Sequence, residues 1–525
     1  MLAAAGMVAA PLAAATTFAQ SAVGDWPSYN GSPDGARYSP LTELTPGNAR
    51  RLRRICTFNT RERTAMESGP IAVGGTLYVT TDTLTFGLDG GTCTLLWRHA
   101  RTDLVQPRHP VNRGAVYVET GSGPRVVRGS GDAHVYALDA RTGAPAWDVA
   151  IGDATTGETI SAAPATWGGL IFIGTAGGDY AGVTGRILAL DVLDGHVVWQ
   201  FGIVPAGGTP ALSWPDPVPE FPRTGGGTWS TYTVDTASQL LVVATGNPGP
   251  LFTSMFHAGE NLFTESILIL DGSTGSIFRL VTLRPHDIHD WDLAAASVLV
   301  TTATGASLIA VAGKDGYLSA IQRPKGTIRY HVPTTSISGA DAPITPEGTR
   351  FCPGTLGGTD WNGPAHDRAH NTLVVAAVDW CTTVRLQPLD SIRAARGQPW
   401  TAHTDSTRPY GLMDPLRQSH GWLTAFDADM GTIRWRYKSP APLVAGVTAT
   451  AGGLVLTADL RGTVLALDAA TGAVRYHGHI GQPVGGGVIT YLAHGRQRVA
   501  VASGMTSSRW QTKSTPATLV VFGLP

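Results

Sequence analysis

A short pattern of strand, Asp, turn and aromatic residue recurs along this chain, and repetition of such a unit leaves few architectures open to it. The clear copies read FGLDGGTCTLLW, YALDARTGAPAW, LALDVLDGHVVW, TAFDADMGTIRW and LALDAATGAVRY. Asp89, Asp139, Asp191, Asp427 and Asp468 each stand eight residues before an aromatic: Trp97, Trp147, Trp199, Trp435 and Tyr476. Gly143, Gly195, Gly431 and Gly472 follow their Asp by four, and Cys93 holds that place in the first copy. Two degenerate copies extend the series: LILDGSTGSIFR around Asp271, and SAIQRPKGTIRY with Gln322 in place of the Asp. Alternating apolar residues before the Asp make a strand. The Asp side chain can hydrogen-bond the turn that follows, and Gly takes the left-handed position there. The aromatic opens the next strand and can pack between neighbouring sheets. The unit reads as the hairpin between the last two strands of a propeller blade.

Composition agrees. Gly 65 and Pro 35 with only 15% charged residues disfavour long helices and suit many short strands joined by turns. The anchors fall at 89, 139, 191, 271, 322, 427 and 468, mostly 41 to 52 residues apart, about one four-stranded blade. The gap of 80 predicts one blade with an insertion. The gap of 105 predicts two, one of them without the motif near residues 371–381. The total is an all-β, eight-bladed propeller, with seven blades as the other count. The segment before Cys56 and the last residues are expected to share the closing blade. No linker or composition shift divides residues 21–525, which read as a single domain.

Residues 1–20, MLAAAGMVAAPLAAATTFAQ, are small, apolar and uncharged, as in the core of a secretory signal cleaved after Ala19 or Gln20. Export to a bacterial periplasm follows. No later apolar run reaches the roughly 18 residues of a membrane span. A net charge of −1 gives no pull toward nucleic acid or anionic membrane. In an exported protein, Cys56, Cys93, Cys352 and Cys381 suggest two disulfides, Cys56–Cys93 and Cys352–Cys381, each within about one repeat. No Cys-x-x-Cys-His motif for haem attachment occurs.

Several stretches between the repeats carry chemistry. GGGTWSTYTVD followed by LLVVATGNPGP sets Trp229 eighteen residues before Asn247, with Asp235 between. RPHDIHDWDLAAA holds Asp287, Asp290 and Asp292 within six residues, a cluster that needs cations or hydrogen bonds. GETISAAPATWGGLIFIGTAGGDYAGVTG contains Ser161, then Ala176, Gly177, Gly178 and Asp179. With the repeat, these stretches resemble the pyrroloquinoline quinone (PQQ)-dependent alcohol dehydrogenases, the quinoprotein family that includes methanol dehydrogenase. The resemblance runs from about residue 24 to the C-terminus, and the repeat is similar to that family's tryptophan-docking motif.

The resemblance implies roles residue by residue. Trp229 matches the Trp that lies flat under the quinone. Asn247 and Asp179 match metal ligands. Asp290 matches the catalytic aspartate, itself a ligand, and Asp292 an additional acid at the metal. Ser161, Ala176, Gly177 and Gly178 match the cofactor-contacting stretch. PVNRGAVY places Arg113, AMESGP places Glu67 and AGKDGYL places Lys314 at cofactor positions. GGTDWNGP sets Asp360 and Trp361 where the family often has Asn-Trp. PQQ carries three carboxylates, which suit an Arg fork, and quinone oxygens, which suit Lys or Arg. Oxygen ligands suit Ca²⁺ or a lanthanide ion. The implied reaction oxidises an alcohol to an aldehyde or ketone by hydride transfer to the quinone. With no haem domain fused, it implies a separate electron acceptor such as a cytochrome c or a quinone.

The chain also departs from the family. Asp179 replaces Glu, Ala181 is an insertion beside it, and Tyr180 competes for that register. His289 stands where Trp is usual, and Pro107 and Arg108 stand where many members carry adjacent cysteines. Two other readings follow: a non-catalytic propeller scaffold resembling the outer-membrane-assembly lipoprotein, and an enzyme with a decayed site. Substrate choice is expected to lie in the segments 203–227 and 388–420.

Overall fold

The computed structural model describes residues 22–101, 105, 110–218, 220–293 and 295–525. The expected signal segment and the Pro107–Arg108 departure lie outside the described residues. Among the described residues eight sheets of four or five strands dominate, six of them antiparallel meanders; the Asp468 sheet adds Tyr38–Ser39 as a parallel fifth strand, and the closing sheet takes Arg53–Asn59 as its outer strand. The first runs Ile71–Val73, Thr76–Thr80, Leu84–Asp89, Leu95–Ala100. Third strands such as Leu84–Asp89 and Ser266–Asp271 are buried along nearly their whole length. A sheet covered on both faces selects such continuous apolar runs. Fourth strands such as Leu95–Ala100 carry exposed positions, as expected at the rim.

The innermost strands touch in cyclic order: Ile71–Val73, Ala115–Thr120, Ala165–Trp167, Thr233–Asp235, Val298–Thr301, Ala365–Asp367, Thr448–Thr450 and Val488–Ala493. A core cluster that joins Leu77, Val79 and Phe86 to Ile489, Tyr491 and Leu519 packs the last sheet on the first. Every anchor, from Asp89 to Asp468, ends the third strand of its sheet. The interval between Gln322 and Asp427 needs correction, because it holds one four-stranded sheet where two blades were expected, beside a small three-stranded sheet of Thr349–Phe351, Thr382–Val384 and Leu412–Met413. Thr372–Asp379 is the second strand of the Asp427 sheet, and its long return to His420–Asp427 accounts for the length. The sheet without the motif is instead the closing one, where Arg53–Asn59 pairs with Thr518–Gly523 as expected.

The aromatic residues join sheets in one recurring way. Trp97, Trp147, Trp199 and Trp435 donate their indole N–H to the carbonyls of Ala140, Val192, Gly272 and Ala469, at 2.8–3.0 Å. Each acceptor immediately follows the anchor of the next sheet. Tyr330 donates its hydroxyl to Ala428 O in the same way. The ring then lies on the turn glycine of the next motif: a Cβ at Gly195 would come within 2.6 Å of Trp147, and one at Gly472 within 2.7 Å of Trp435.

At the ring closure a covalent bond takes over this role. Cys56 faces Val521 just after a register shift, the place that Trp97 occupies in the first sheet. Cys93 stands at the turn-glycine place with a left-handed φ of 61°. The two form a disulfide, as do Cys352 and Cys381.

Candidate active site

In a four-stranded meander, the entry to the first strand and the link from the second to the third lie at the same end. Every sequence-derived candidate sits in one of these two kinds of connection. Glu67, Arg113, Ser161, Trp229, Asp290, Asp292, Asp360 and Trp361 lead into first strands. Ala176, Gly177, Gly178, Asp179, Asn247 and Lys314 follow second strands. All fourteen line one cavity of about 410 Å³. The segments 203–227 and 388–420 cross the same face. Phe221 of the first stacks on Phe256 at 4.6 Å and lies 6.4 Å from Trp400 of the second.

One side of the cavity is aromatic and cationic. Arg113 donates to Glu67 Oε2 and to Trp229 O, both at 2.7 Å. Its guanidinium lies 4.5 Å from the Trp229 ring centroid and 5.2 Å from that of Trp361. Ser161 Oγ also donates to Trp229 O (3.2 Å), so two side chains fix the backbone that carries this indole. Trp361 is anchored through its indole N–H to Gly485 O (2.8 Å). Beside Trp229 runs the Ala176–Gly178 strip. A Cβ at Gly178 would come within 3.0 Å of the backbone at Gly225 and Gly227, so only glycine allows the strands to approach this closely.

The other side is acidic. Lys314 Nζ donates to Asp290 Oδ2 (3.1 Å) and Asp292 Oδ2 (2.9 Å). Asp292 Oδ1 accepts the Asn247 N–H (3.2 Å). Asp179 Oδ2 accepts the Tyr410 hydroxyl (3.1 Å). Burial pushes Asp290 well above the usual carboxylate range; Lys314 opposes the shift, and Asp179 and Asp292 add to it. Asp179 is raised by burial and then by Asp292. Lys314 is held above its ordinary value by Asp290, Asp292 and Asp360, against the cost of burial.

Asp290 has a left-handed φ of 61°. Asp287 braces it on both sides: its Oδ2 accepts the N–H of His289 and of Trp291, each at 3.1 Å. Against the cost of burial, His289, Arg284 and the Trp291 N–H hold Asp287 well below the ordinary range. His289, the departure from Trp, stacks on Trp291 at 4.3 Å and meets Phe351 edge-on at 4.8 Å.

These residues fit a metal and a flat anionic cofactor. Asp179, Asp290 and Asp292 offer hard oxygen donors whose mutual repulsion a cation relieves. The Asn247 amide nitrogen donates to Pro248 O (2.9 Å), which leaves its oxygen as the group able to meet a cation. Asp360 Oδ2 is buried with no hydrogen-bond partner among the described residues, and its carboxyl is pushed up to about 7, chiefly by burial. Such an orphaned atom calls for a partner on a bound group.

The cavity also contains residues that the motifs did not reveal. Tyr410 comes from the insertion in the Asp427 sheet, and Arg509 and Trp510 come from the connection before the last strand. Tyr180, the rival to Asp179, lines the cavity as well.

Comparison with known proteins agrees with this geometry. The family described as "PQQ: Glucose/ethanol/alcohol dehydrogenase, beta-propeller domain" matches residues 26–343 and 324–499. The quinoprotein alcohol dehydrogenase PedH of Pseudomonas putida is 28% identical over 90% of this chain and 84% of its own length. The lanthanide-dependent methanol dehydrogenase of Methylacidiphilum fumariolicum is 26% identical over 92% and 85%. Among solved structures, a europium-containing methanol dehydrogenase superposes with a TM-score of 0.81 over 96% of this chain and 98% of its own, at 23% identity, a likeness of fold. Propeller, motifs and relatives coincide over nearly the whole chain, which belongs to the PQQ-dependent alcohol dehydrogenase β-propeller family.

Proposed function

We propose that this enzyme is an exported, periplasmic dehydrogenase that uses PQQ and Ca²⁺ or a lanthanide ion to oxidise an alcohol to an aldehyde or ketone. In this reading residues 1–20 are the signal and residues 21–525 one propeller domain. A separate cytochrome c or quinone reoxidises the enzyme. The observation that carries the reading is the convergence of Asp179, Asn247, Asp290 and Asp292 beside an aromatic slot at one end of the ring.

When bound, PQQ supplies a two-electron acceptor and the metal a Lewis acid. The remaining work falls to side chains. Trp229 and Trp361 give flat apolar surfaces for the cofactor rings, and the Ala176–Gly178 strip lets backbone approach their edge. Arg113 meets carboxylate groups, with Glu67 fixing its direction. Lys314 would supply a cation for the quinone oxygens. Asp179, Asn247, Asp290 and Asp292 hold the metal. Asp290 takes the hydroxyl proton of the alcohol, a role that suits a carboxylate fixed at the cavity wall by the Asp287 brace on both sides of it. The packed insertions around Phe221, Phe256 and Trp400 cover the face and limit water.

The test is to load the protein with PQQ and either Ca²⁺ or La³⁺ and follow dye reduction with primary and secondary alcohols. Turnover should require both additions. Asp290→Ala should lower it about 10²–10⁴-fold and leave PQQ binding, read by fluorescence quenching, in place. Failure to bind PQQ with either metal overturns the reading in favour of a scaffold propeller.

A further inference from the structure

Lys314 and Arg113 are each engaged by carboxylates: Arg113 by Glu67, and Lys314 by Asp290 and Asp292. Arg509 is different. It lines the same cavity, yet no carboxylate among the described residues comes within ion-pair distance of it, and no hydrogen-bond acceptor there holds its guanidinium. Its Cζ lies 3.4 Å from the Tyr410 ring centroid, and the Tyr410 hydroxyl reaches Asp179. The guanidinium is thus on the acidic side of the cavity, one tyrosine ring away from the carboxylates, whereas Arg113 is the cation over Trp229.

The loop that carries Arg509 is fixed. Ser507 and Thr512 bond one another twice through backbone N–H groups, Ser507 N to Thr512 Oγ1 (2.9 Å) and Thr512 N to Ser507 O (3.0 Å). Trp510 is buried and packs on Trp361 at 5.9 Å and on Trp380 at 6.2 Å. A planar cation held by its neighbours and stacked on an aromatic face has its donor edge left for an anion.

We propose that Arg509 is a specificity-determining residue that binds an anionic group on the substrate, and that the substrate class is alcohols bearing a carboxylate, the ω-hydroxycarboxylates. The inference rests on the dehydrogenase reading above. The carbinol group would lose two electrons and two protons, as a hydride from carbon to the PQQ couple and the hydroxyl proton to Asp290, and become an aldehyde. The carboxylate is unchanged, and Arg509 only binds it.

The test compares short ω-hydroxycarboxylates with neutral primary alcohols of equal chain length on the PQQ- and metal-loaded enzyme, in the wild type, Arg509→Gln and Arg509→Lys. The wild type should favour the charged series. Arg509→Gln should raise KM for that series about tenfold or more, leave KM for the neutral alcohols within about twofold, and leave PQQ affinity by fluorescence unchanged; Arg509→Lys should recover part of the loss. Calorimetric binding of hexanoate to the loaded protein, present in the wild type and lost in Arg509→Gln, gives a readout independent of turnover. Equal effects on both series, no preference in the wild type, or weakened PQQ affinity in Arg509→Gln would overturn the proposal, the last by assigning Arg509 to the cofactor. Absence of turnover with every alcohol would count against the dehydrogenase reading, while hexanoate binding would still decide the role of Arg509.

Discussion

Asp290 is held in a backbone conformation that few non-glycine residues adopt, and the two hydrogen bonds from its neighbours to Asp287 hold it there. Asp287 is therefore a positioning residue. Asp287→Ala releases both N–H groups, and a misplaced base can cost about 10²-fold. The expected result is a fall in kcat of about ten- to hundredfold with PQQ affinity retained, read by parallel kinetics and fluorescence. A second prediction concerns Asp360. Its carboxyl is pushed up from 3.8 to about 7 by burial, with Glu67 and Asp292 adding to it and Lys314 and Arg113 opposing. A carboxyl raised on folding contributes stability that is full below its unfolded value and is lost as pH rises through the folded one. The protein without cofactor should thus melt at a lower temperature at pH 8 than at pH 5. Asp360→Asn should narrow that difference, as thermal unfolding at the two pH values will read.

At the scale of the element, the repeat is a joint between sheets. The anchor Asp organises its own turn: Asp139 Oδ1 accepts the N–H of Arg141 (3.0 Å) and Thr142 (2.9 Å). The turn glycine then presents a flat surface to the indole of the previous sheet. Gly195 has φ +79° and a neighbour at 2.6 Å from any added Cβ, so it lacks both the conformation and the space for a side chain. Gly195→Ala should destabilise by about 1–3 kcal/mol. Trp147→Phe keeps a ring there but loses the bond to Val192 O, which should cost about 1 kcal/mol. Denaturant unfolding that ranks the two equal to a surface substitution would contradict this account.

For the whole molecule, the critical place is the closure of the ring. Among the described residues five joints use an aromatic that donates to the residue after the next anchor, but the closing sheet brings no docking aromatic to the first, and Cys56–Cys93 holds that joint covalently. Residues of sequence separation 37 are linked, so the bond constrains the unfolded chain as well as the native joint. Cys56→Ser should lower stability by about 2–4 kcal/mol. Limited proteolysis should then find its first new cleavages near residues 53–59, whose strand pairs with the C-terminal one.

Much of this was legible in the sequence, because local chemistry repeats where local structure repeats. Asp, Gly and Trp at fixed offsets identified third strands, turns and docking positions, and the pairing of the cysteines followed from the same spacing. Motif resemblance also selected fourteen candidates that fold around one cavity, since each belongs to a short segment entering or leaving an inner strand. Anchor spacing could not divide the interval from 322 to 427, because an insertion and an extra sheet lengthen a chain equally. Tyr410 and Arg509 carried no motif. They reach the cavity from an insertion and from the last connection of the ring, and closure alone sets Arg509 on the Tyr410 ring and brings Tyr410 to Asp179 across a sequence separation of 231. Sequence determined the repeated unit and the residues of its ends; only the closed ring decided which of those ends meet, because contact across a cavity is set by tertiary geometry and leaves no local periodicity.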